Sequence, residues 1–225
     1  MQGSSFSPRR RAVLTALALS PLGQALAQSF PSRPITLICP WPPGGSTDRH
    51  LRTLAELAGK HLGQNVIVQN QPGGGGTNGP GAMALNAKPD GYTIAQYPLG
   101  MIRVAHMQKT PWHPLNDFSF IIGITGYTFG FVVRTDSPHK TFNDFVEAAR
   151  KAPGELTFGS TGVGTSPHLL IEQVCVPAKI QLNHVPFKGN ADLTQALLGG
   201  HVMAMSDATG SVSYTHLTLP TKRIV

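Results

Sequence analysis

Residues 39–63 read CPWPPGGSTDRHLRTLAELAGKHLG and join a short apolar segment to an amphipathic helix through a loop of prolines and glycines. The apolar segment Ile35–Cys39 predicts a strand, and leucines and alanines spaced three or four residues apart predict a helix over 47–62 that stops at Gly63. The two prolines hold φ at about −65°, and the two glycines after them let backbone N–H groups turn toward a ligand. This order of strand, loop and helix N-terminus predicts a backbone cradle for a small anion.

The alternation of strand and helix continues along the chain. Further strands are predicted at 65–69, 92–97, 129–134, 156–160, 181–184 and 202–206, and further helices at 77–86, 141–151, 166–175 and 191–198. The stretch 110–120 is predicted to be an irregular surface connection. Repeated strand–helix–strand units favour an α/β fold in which mostly parallel sheets are covered by helices on both faces. We place a boundary between two lobes near 123–130.

The first 27 residues have the order of an export signal peptide. Arg9-Arg10-Arg11 is a basic start, residues 12–19 form an apolar segment, and Ala25-Leu-Ala27 fits a cleavage site. Arg10 and Arg11 also fit a loose twin-arginine pattern, so export by either the Sec or the Tat route stays open. The mature protein is therefore expected to begin at Gln28 and to be periplasmic.

The basic excess of the chain lies at its two ends. The full sequence has 18 basic and 11 acidic residues and a formal charge of +7. The arginines of 1–27 together with Lys222 and Arg223 account for five of the 18, which leaves 13 basic against 11 acidic residues and a charge of +2 between the ends. A nucleic-acid surface needs clustered basic residues on the folded domain, so nucleic acid is not an expected partner.

The cysteines and histidines lack the spacing of a metal site, and no metal or cofactor is expected. Cys39 and Cys175 could pair after export, but one ends a predicted strand and the other lies far along the chain on a predicted helix. We favour two separate buried thiols. His168 and His184 are interpreted as structural histidines.

Three strand-to-helix loops, 40–47, 70–77 and 160–166, lie where ligands bind in open parallel sheets. None of the three contains lysine or arginine. They offer glycine-freed N–H groups, serine and threonine hydroxyls, and helix N-termini whose dipole attracts negative charge. The loops therefore predict a site for a carboxylate or another small anion. The alternative is that Ser46, Thr47 and Ser166 only cap their own helices.

Two nucleotide-binding patterns are matched incompletely. Residues 159–166 have the glycine spacing of a P-loop, but Thr165 stands where the lysine is required, which argues against an NTPase. Residues 74–79 fit G-x-G-x-x-G, but the acidic residue about 20 positions later is missing from a strand end. A dinucleotide- or nucleotide-binding α/β enzyme remains the alternative interpretation. The sequence has no G-x-S-x-G, and a non-enzymatic function is favoured.

A series of short motifs, in order, covers residues 30 to about 210. The motifs are Pro31-Ser-Arg-Pro-Ile35, Pro40-Trp-Pro-Pro-Gly-Gly-Ser-Thr-Asp48, Leu62-Gly-Gln-Asn-Val-Ile-Val68, Asn70-Gln-Pro-Gly-Gly74, Pro89-Asp-Gly-Tyr-Thr93, Gly159-Ser-Thr-Gly-Val-Gly-Thr-Ser-Pro-His168 and His184-Val-Pro-Phe-Lys-Gly189. Taken together they resemble the substrate-binding proteins of tripartite tricarboxylate transporters, the Bug family of periplasmic solute-binding proteins.

The resemblance implies a two-lobed fold of the type II periplasmic binding proteins, with lobe 1 at 28–124 and lobe 2 at 125–210. It implies a monomer that captures a small carboxylate, such as a di- or tricarboxylate or a related organic acid, and delivers it to membrane-embedded transporter subunits. Main-chain amides and hydroxyls would hold the ligand. The ligand-binding residues that the resemblance implies are Trp41, Gly45, Ser46, Thr47, Asp48, Gly73, Gly74, Ser160, Thr161, Thr165, Ser166 and Asp207.

The chain departs from this family pattern after Gly210. Residues 211–225 follow no periodicity set by the preceding segments and are interpreted as an unrelated tail, with the end of lobe 2 missing. We expect the tail to contribute nothing to folding.

Overall fold

A computed structural model describes residues 30–124 and 126–208, and the backbone of 221–224. The predicted signal peptide, 1–27, lies outside the described residues. From Arg33 onward the chain forms one compact unit that contains two β-sheets. In the part of the chain that is described, no helix has the length and apolar character needed to cross a membrane.

The first sheet is parallel throughout, with strand order β2-β1-β3. Its strands are β1 (Ile35–Cys39), β2 (Val66–Asn70) and β3 (Thr93–Ala95), and its helices are α1 (Ser46–Leu62), α2 (Asn78–Asn86) and α3 (Gly100–Met107). Leu37 and Cys39 of β1 pack against Leu51 and Ala55 of α1. These are the apolar positions that the three-to-four-residue spacing places on one face of the helix, so burial of that face positions the N-terminus of α1 at the end of β1.

The second sheet is mixed, with strand order β6-β5-β7-β4-β8. Its strands are β4 (Phe129–Arg134), β5 (Thr157–Ser160), β6 (Asn183–Pro186), β7 (Ala204–Ala208) and β8 (Thr221–Ile224). Strand β5 is parallel to β6 and β7, whereas β4 is antiparallel to β7 and β8.

Helices cover both faces of the second sheet. Phe145 of α4 (Phe142–Lys151) and Ile171 of α5 (Ser166–Ala178) pack with Phe158 in one buried cluster. Leu193 and Leu197 of α6 (Asn190–Leu198) pack with Val132 and Met205 in the other. The predicted α/β fold with mostly parallel sheets and helical layers is confirmed, with the antiparallel β4 as the departure.

The predicted elements are present, with shifts of one to three residues at several ends. Strand β4 and the C-terminal residues of α1 and α4 lie where the pattern placed them. Helix α5 continues through Pro177 to Ala178, three residues beyond the prediction. Helix α3 was not predicted: it is eight residues long and begins with glycine, so it carries no capping signal that a local pattern could detect.

The expectation that the last fifteen residues take no part in the fold is wrong for Thr221–Ile224. These residues form β8 and pair with β4, with Phe131 opposite Ile224 and Arg134 opposite Thr221. Without β8, strand β4 would present an unpaired row of N–H and C=O groups, and a short segment able to extend can satisfy them. The lobe boundaries at 124 and 210 remain predictions.

Both cysteines are buried free thiols, as favoured from the sequence. Cys39 ends β1 and Cys175 lies in α5, so each belongs to the core of a different sheet. Burial raises the pKa of Cys175 to about 11 and also raises the pKa of Cys39. The thiolate is the reactive form of cysteine, so both side chains act as small apolar core residues.

Candidate functional site

A cavity of about 520 Å³ opens at the carboxyl ends of the strands, and residues associated with both sheets line it. The wall includes the loop after β1 with the start of α1, the segment from 96 to 102, the segment from 126 to 129, the loop after β5 with the start of α5, the first residue of α6 and the end of β7. A volume of this size suits a small ligand.

Eight of the twelve residues implied by the sequence line this cavity. They are Trp41, Gly45, Ser46, Thr47, Thr161, Thr165, Ser166 and Asp207. The other four, Asp48, Gly73, Gly74 and Ser160, are not part of its wall. Strand-to-helix loops that are far apart in sequence, 40–47 and 160–166, therefore meet at one site, while the other four residues lie outside its wall.

The helices that begin at the cavity have no side-chain caps. Gly45 is the N-cap of α1 and Thr165 is the N-cap of α5, and neither receives a capping hydrogen bond to its side chain. Helix α4 differs: Thr141 and Asp144 form a complete capping box there. The alternative that Ser46, Thr47 and Ser166 serve as caps is therefore wrong, because each lies inside the first turn of its helix. No side chain at these N-caps therefore satisfies the first-turn N–H groups of α1 and α5.

The hydroxyl groups at the start of α1 bond to residues from distant parts of the chain. Thr47 Oγ1 lies 3.1 Å from the Tyr127 hydroxyl. Asn190 Nδ2 donates to Ser46 Oγ at 3.4 Å and to Asp207 Oδ1 at 2.6 Å. Asp207 is 2% exposed. These bonds tie the first turn of α1 to α6 and to the end of β7, so one side of the cavity wall is a polar network.

Trp41 forms a rigid part of the wall. Its indole Nε1 donates to Gln96 Oε1 at 3.1 Å, and its ring lies against Gly76, where an added Cβ would come within 2.7 Å of the ring. Gly76 has φ of +91°, a conformation that other residues rarely adopt. The glycine run after β2 therefore lets the chain pass close to the indole, which is one reason that this loop needs glycine.

Gly73 and Gly74 do not form a cradle, because the Asn78 side chain fills the space beside them. A Cβ on Gly73 would lie 2.4 Å from Asn78 Nδ2, and a Cβ on Gly74 would lie 2.6 Å from Asn78 Oδ1. The cavity residue of this run is Gly75, which faces the loop after β5: an added Cβ would lie 3.2 Å from Thr165 Cγ2.

Asp48 braces the loop from beneath rather than facing the cavity. Its carboxylate accepts from the Gly44 N–H at 2.9 Å, from Asn70 Nδ2 at 2.8 Å and from Arg52 Nε at 3.1 Å. Asn70 Nδ2 also donates to the Trp41 carbonyl. Burial alone would raise the pKa of Asp48, but the hydrogen bonds from Arg52, Asn70 and Gly44 outweigh it and lower the pKa below its usual value.

Ser160 ends β5, just before the loop 161–165, and lies beside a stack of two histidines. Ser160 Oγ and His184 Nε2 are 2.7 Å apart, and the rings of His184 and His168 stack with centroids 4.1 Å apart. The Gly164 N–H donates to His168 Nδ1 at 3.1 Å. Burial lowers the pKa of His184 to about 4, with the neighbouring His168 contributing, and burial also lowers the pKa of His168. The interpretation as structural histidines is supported, since neutral rings brace the 160–165 loop.

Sequence reasoning missed several residues of the site. Tyr127 and Gln96 stand in irregular segments that carry no motif. Asn190 directly follows Gly189, the last residue of the motif 184–189, and Pro42 packs on that glycine. The motif therefore ends one residue before a residue of the cavity wall. Arg103 lies on the unpredicted α3 and donates to Ser166 Oγ at 2.8 Å.

The wall combines a polar end with an apolar side. Hydroxyls and helix N-termini come from α1 and α5, whereas Pro98, Leu99, Ile102, Phe120 and Phe129 supply apolar surface. The wall as described contains no lysine, arginine or histidine side chain. No group of three or more histidine, cysteine, aspartate or glutamate side chains in the described ranges could hold a metal ion. The groups that this wall offers to an anion are helix N-termini and hydroxyls.

Comparison with known proteins identifies a family and several solved structures that resemble this chain. Residues 50–216 match the family described as TctC, tripartite tricarboxylate transporter family receptor. A UPF0065 protein of Cupriavidus necator is 44% identical over 204 residues, which are 90% of this chain and 62% of the relative. MatC from Rhodopseudomonas palustris, solved with malate, is 27% identical with a TM-score of 0.79, over 87% of this chain and 67% of that one.

A second R. palustris structure, solved with adipate, is 25% identical with a TM-score of 0.82, over 87% of this chain and 66% of that one. The chain spans about three fifths of the length of the curated relatives that it matches.

Proposed function

The chain belongs to the tripartite tricarboxylate transporter receptor family, and on that premise we propose that it is a periplasmic solute-binding protein whose cavity captures a small carboxylate. The resemblance drawn from the loop motifs is thereby confirmed at the level of the family. Receptors of this kind bind and release their solute unchanged, so the proposal includes no catalytic step.

One observation carries the proposal: the helices α1 and α5 both start at the cavity without side-chain caps. First-turn residues of α1 and α5, among them Ser46 and Ser166, line a wall that has no basic side chain. A helix N-terminus carries about half a positive charge and favours an anion by roughly 0.3–1 kcal/mol, and by more when partly buried. Two such termini provide a site for a carboxylate that needs no arginine.

The apolar side of the wall supports a ligand with a carbon chain. Phe129, Phe120 and Ile102 lie in the same cavity as the serines. Adipate and malate, the ligands of the two solved neighbours, are both dicarboxylates. We propose a di- or tricarboxylate or a related organic acid as the solute class, with one carboxylate at the helix N-termini.

The same proposal includes the cellular setting. After export by the signal peptide at 1–27, a monomeric receptor would hand its solute to membrane-embedded transporter subunits. The ligand and partner assignments rest on the family and on the cavity, and the experiment below tests the ligand first.

A ligand panel followed by thermal unfolding tests the proposal. Malate, adipate, citrate and monocarboxylates are added to the full chain, with the amide or alcohol analogue of each acid as the uncharged comparison. A carboxylate at a hundred times its Kd is expected to stabilise the fold by about 2.7 kcal/mol. The ligand recovered afterwards should be chemically unchanged. The absence of stabilisation by any acid of the panel would contradict the proposal.

A glycine substitution gives a matched pair of variants. Gly45 has φ of −70° and an added Cβ would meet only the Pro42 carbonyl, at 3.7 Å, so Gly45→Val is compatible with the fold. It places a branched side chain next to Ser46 in the cavity wall and should abolish the ligand-induced shift. Gly123→Val is the control, because a Cβ there meets nothing within 4 Å and the residue is not in the cavity wall. Equal binding by Gly45→Val and the unsubstituted chain would refute the cradle.

A further inference from the structure

A cationic side chain stands directly behind the hydroxyl at the start of α5. Arg103 is half-buried on α3, and its Nη1 donates to Ser166 Oγ at 2.8 Å. Ser166 lines the cavity, and so do Gly100 and Ile102 from the same turn of α3. Arg103 itself is not in the wall, and its hydrogen bond to the wall goes to Ser166.

The direction of this bond determines what Ser166 can offer a ligand. A guanidinium has donors and no acceptor, so Ser166 Oγ must accept with a lone pair. The single hydroxyl proton of Ser166 is then left to be donated, and the described residues receive no hydrogen bond from it. Thr165, the preceding residue, differs: its Oγ1 donates to the Gly162 carbonyl at 2.6 Å, so its proton is already committed.

The bond between Arg103 and Ser166 also joins a helix that follows the first sheet to a helix of the second sheet. Helix α3 follows β3 of the first sheet, whereas α5 follows β5 of the second. Hydrogen bonds to an ionised group are shorter and about twice as strong as neutral ones. A charged donor therefore holds the Ser166 side chain in one orientation and increases its strength as a donor.

We propose that Arg103 is a positioning residue for the carboxylate ligand: it orients Ser166 so that the serine hydroxyl donates to the ligand from the start of α5. This inference rests on the proposed function, because it requires that a carboxylate occupy the cavity. It explains how a site whose loops contain no arginine still uses one, since the guanidinium acts through a hydroxyl rather than by direct contact.

The test is a double-mutant cycle on ligand affinity, measured by calorimetry with the acid that binds most tightly to the full chain. Arg103→Gln and Ser166→Ala are each expected to weaken binding by about tenfold to a hundredfold, the range of one hydrogen bond to a charged group. The double variant should bind no more weakly than the weaker of the two single variants, because both changes remove the same hydrogen bond to the ligand. Multiplicative losses would show that Arg103 acts independently of Ser166 and would overturn the proposal.

Lys109→Gln is the matched control. Lys109 is exposed two residues after α3 and its loss changes the net charge by the same amount. Its affinity should equal that of the unsubstituted chain. If Arg103→Gln also binds like the unsubstituted chain, the positioning role is refuted while the carboxylate site stands. If the unsubstituted chain binds no carboxylate, the proposed function itself fails. The unliganded melting temperature of each variant separates a loss of binding from a loss of fold.

Discussion

Replacing Asp48 by asparagine should destabilise the fold more than a change in the first turn of a helix normally does. The Asp48 side chain is 4% exposed, and its carboxylate accepts from Gly44, Asn70 and two nitrogens of Arg52. An amide keeps one of the two oxygens and turns the other into a donor. Whichever way the amide is oriented, its NH₂ then faces either Asn70 Nδ2 and Arg52 Nη2 or the Gly44 N–H and Arg52 Nε.

The magnitude follows from these lost hydrogen bonds. A hydrogen bond to a charged group contributes about 1.5–3 kcal/mol, and removing one partner of a fully buried ion pair costs about 3–5 kcal/mol. The Arg52 side chain is 50% exposed and can recover water, which reduces the loss. We expect Asp48→Asn to lower the free energy of unfolding by about 2–4 kcal/mol, which for a chain of this size lowers Tm by roughly 4–16 °C.

The pH dependence gives an independent check. The folded-state pKa of Asp48 is below its usual value, so its contribution to stability is complete above the unfolded pKa of about 3.9 and is lost as pH falls through the folded value. Denaturation curves of Asp48→Asn and the unsubstituted chain should therefore differ at pH 7, and the difference should shrink as pH falls from about 4 through the folded-state pKa.

Glu56→Gln is the control on the same helix. Glu56 pairs with Lys60 four residues later, but both side chains are more than 60% exposed, and no measurable change is expected. If Asp48→Asn proves as mild as Glu56→Gln at pH 7, the bracing role of Asp48 is refuted.

Three further predictions concern the histidine stack, the C-terminal strand and the N-terminus. The folded-state pKa of His184 is about 4, against an ordinary 6.5, so the unfolded chain takes up a proton at higher pH than the folded chain does. The free energy of unfolding should therefore fall as pH drops from about 6.5 to 4. The loss should be at most about 3 kcal/mol, and smaller because water reaches part of the ring. His184→Gln should remove this part of the pH dependence, whereas His61→Gln, at the exposed end of α1, is the control and should leave it in place. Superimposable pH profiles of His184→Gln and the unsubstituted chain would contradict this role of His184. Replacing Thr221–Ile224 by a glycine–serine segment of equal length should cost about 1–2 kcal/mol through the lost pairing with β4, and unchanged denaturation would restore the expectation that the tail is dispensable. Expression in a Gram-negative host should yield periplasmic protein whose intact mass begins at or near Gln28, whereas a cytoplasmic product that retains Met1 would contradict export.

Local patterns were sufficient wherever an element is stabilised by neighbours in sequence. The leucine and alanine spacing of α1 predicted its C-terminal end at Leu62, and Gly63 there adopts φ of +65° as a left-handed C-cap. The Thr141–Asp144 pair predicted the start of α4, where it forms a capping box. These signals act over three or four residues, so the chain encodes them without reference to the rest of the fold.

The chemical character of the site was also readable from composition. Three glycine-, serine- and threonine-containing loops without lysine or arginine predicted a dipolar anion site, and all three contribute residues to the cavity wall, the loop 70–77 through Gly75. The fold class followed from the order of strands and helices. Both depend on which residue types follow one another along the chain, and not on which residues meet.

The roles of individual side chains depended on which residues meet, and only the tertiary structure decided them. Asp48 looked like a ligand contact because it ends a loop motif, but Asn70 and Arg52 draw it away from the cavity. Arg103 lies on a helix with no sequence signal, and its partner Ser166 is 63 residues away. The sequence by itself therefore determined the elements and the kind of site, since those follow from local backbone preferences. Long-range packing determined which side chains brace the loops and which line the cavity, because a contact between distant residues exists only once both sheets have brought their loops together.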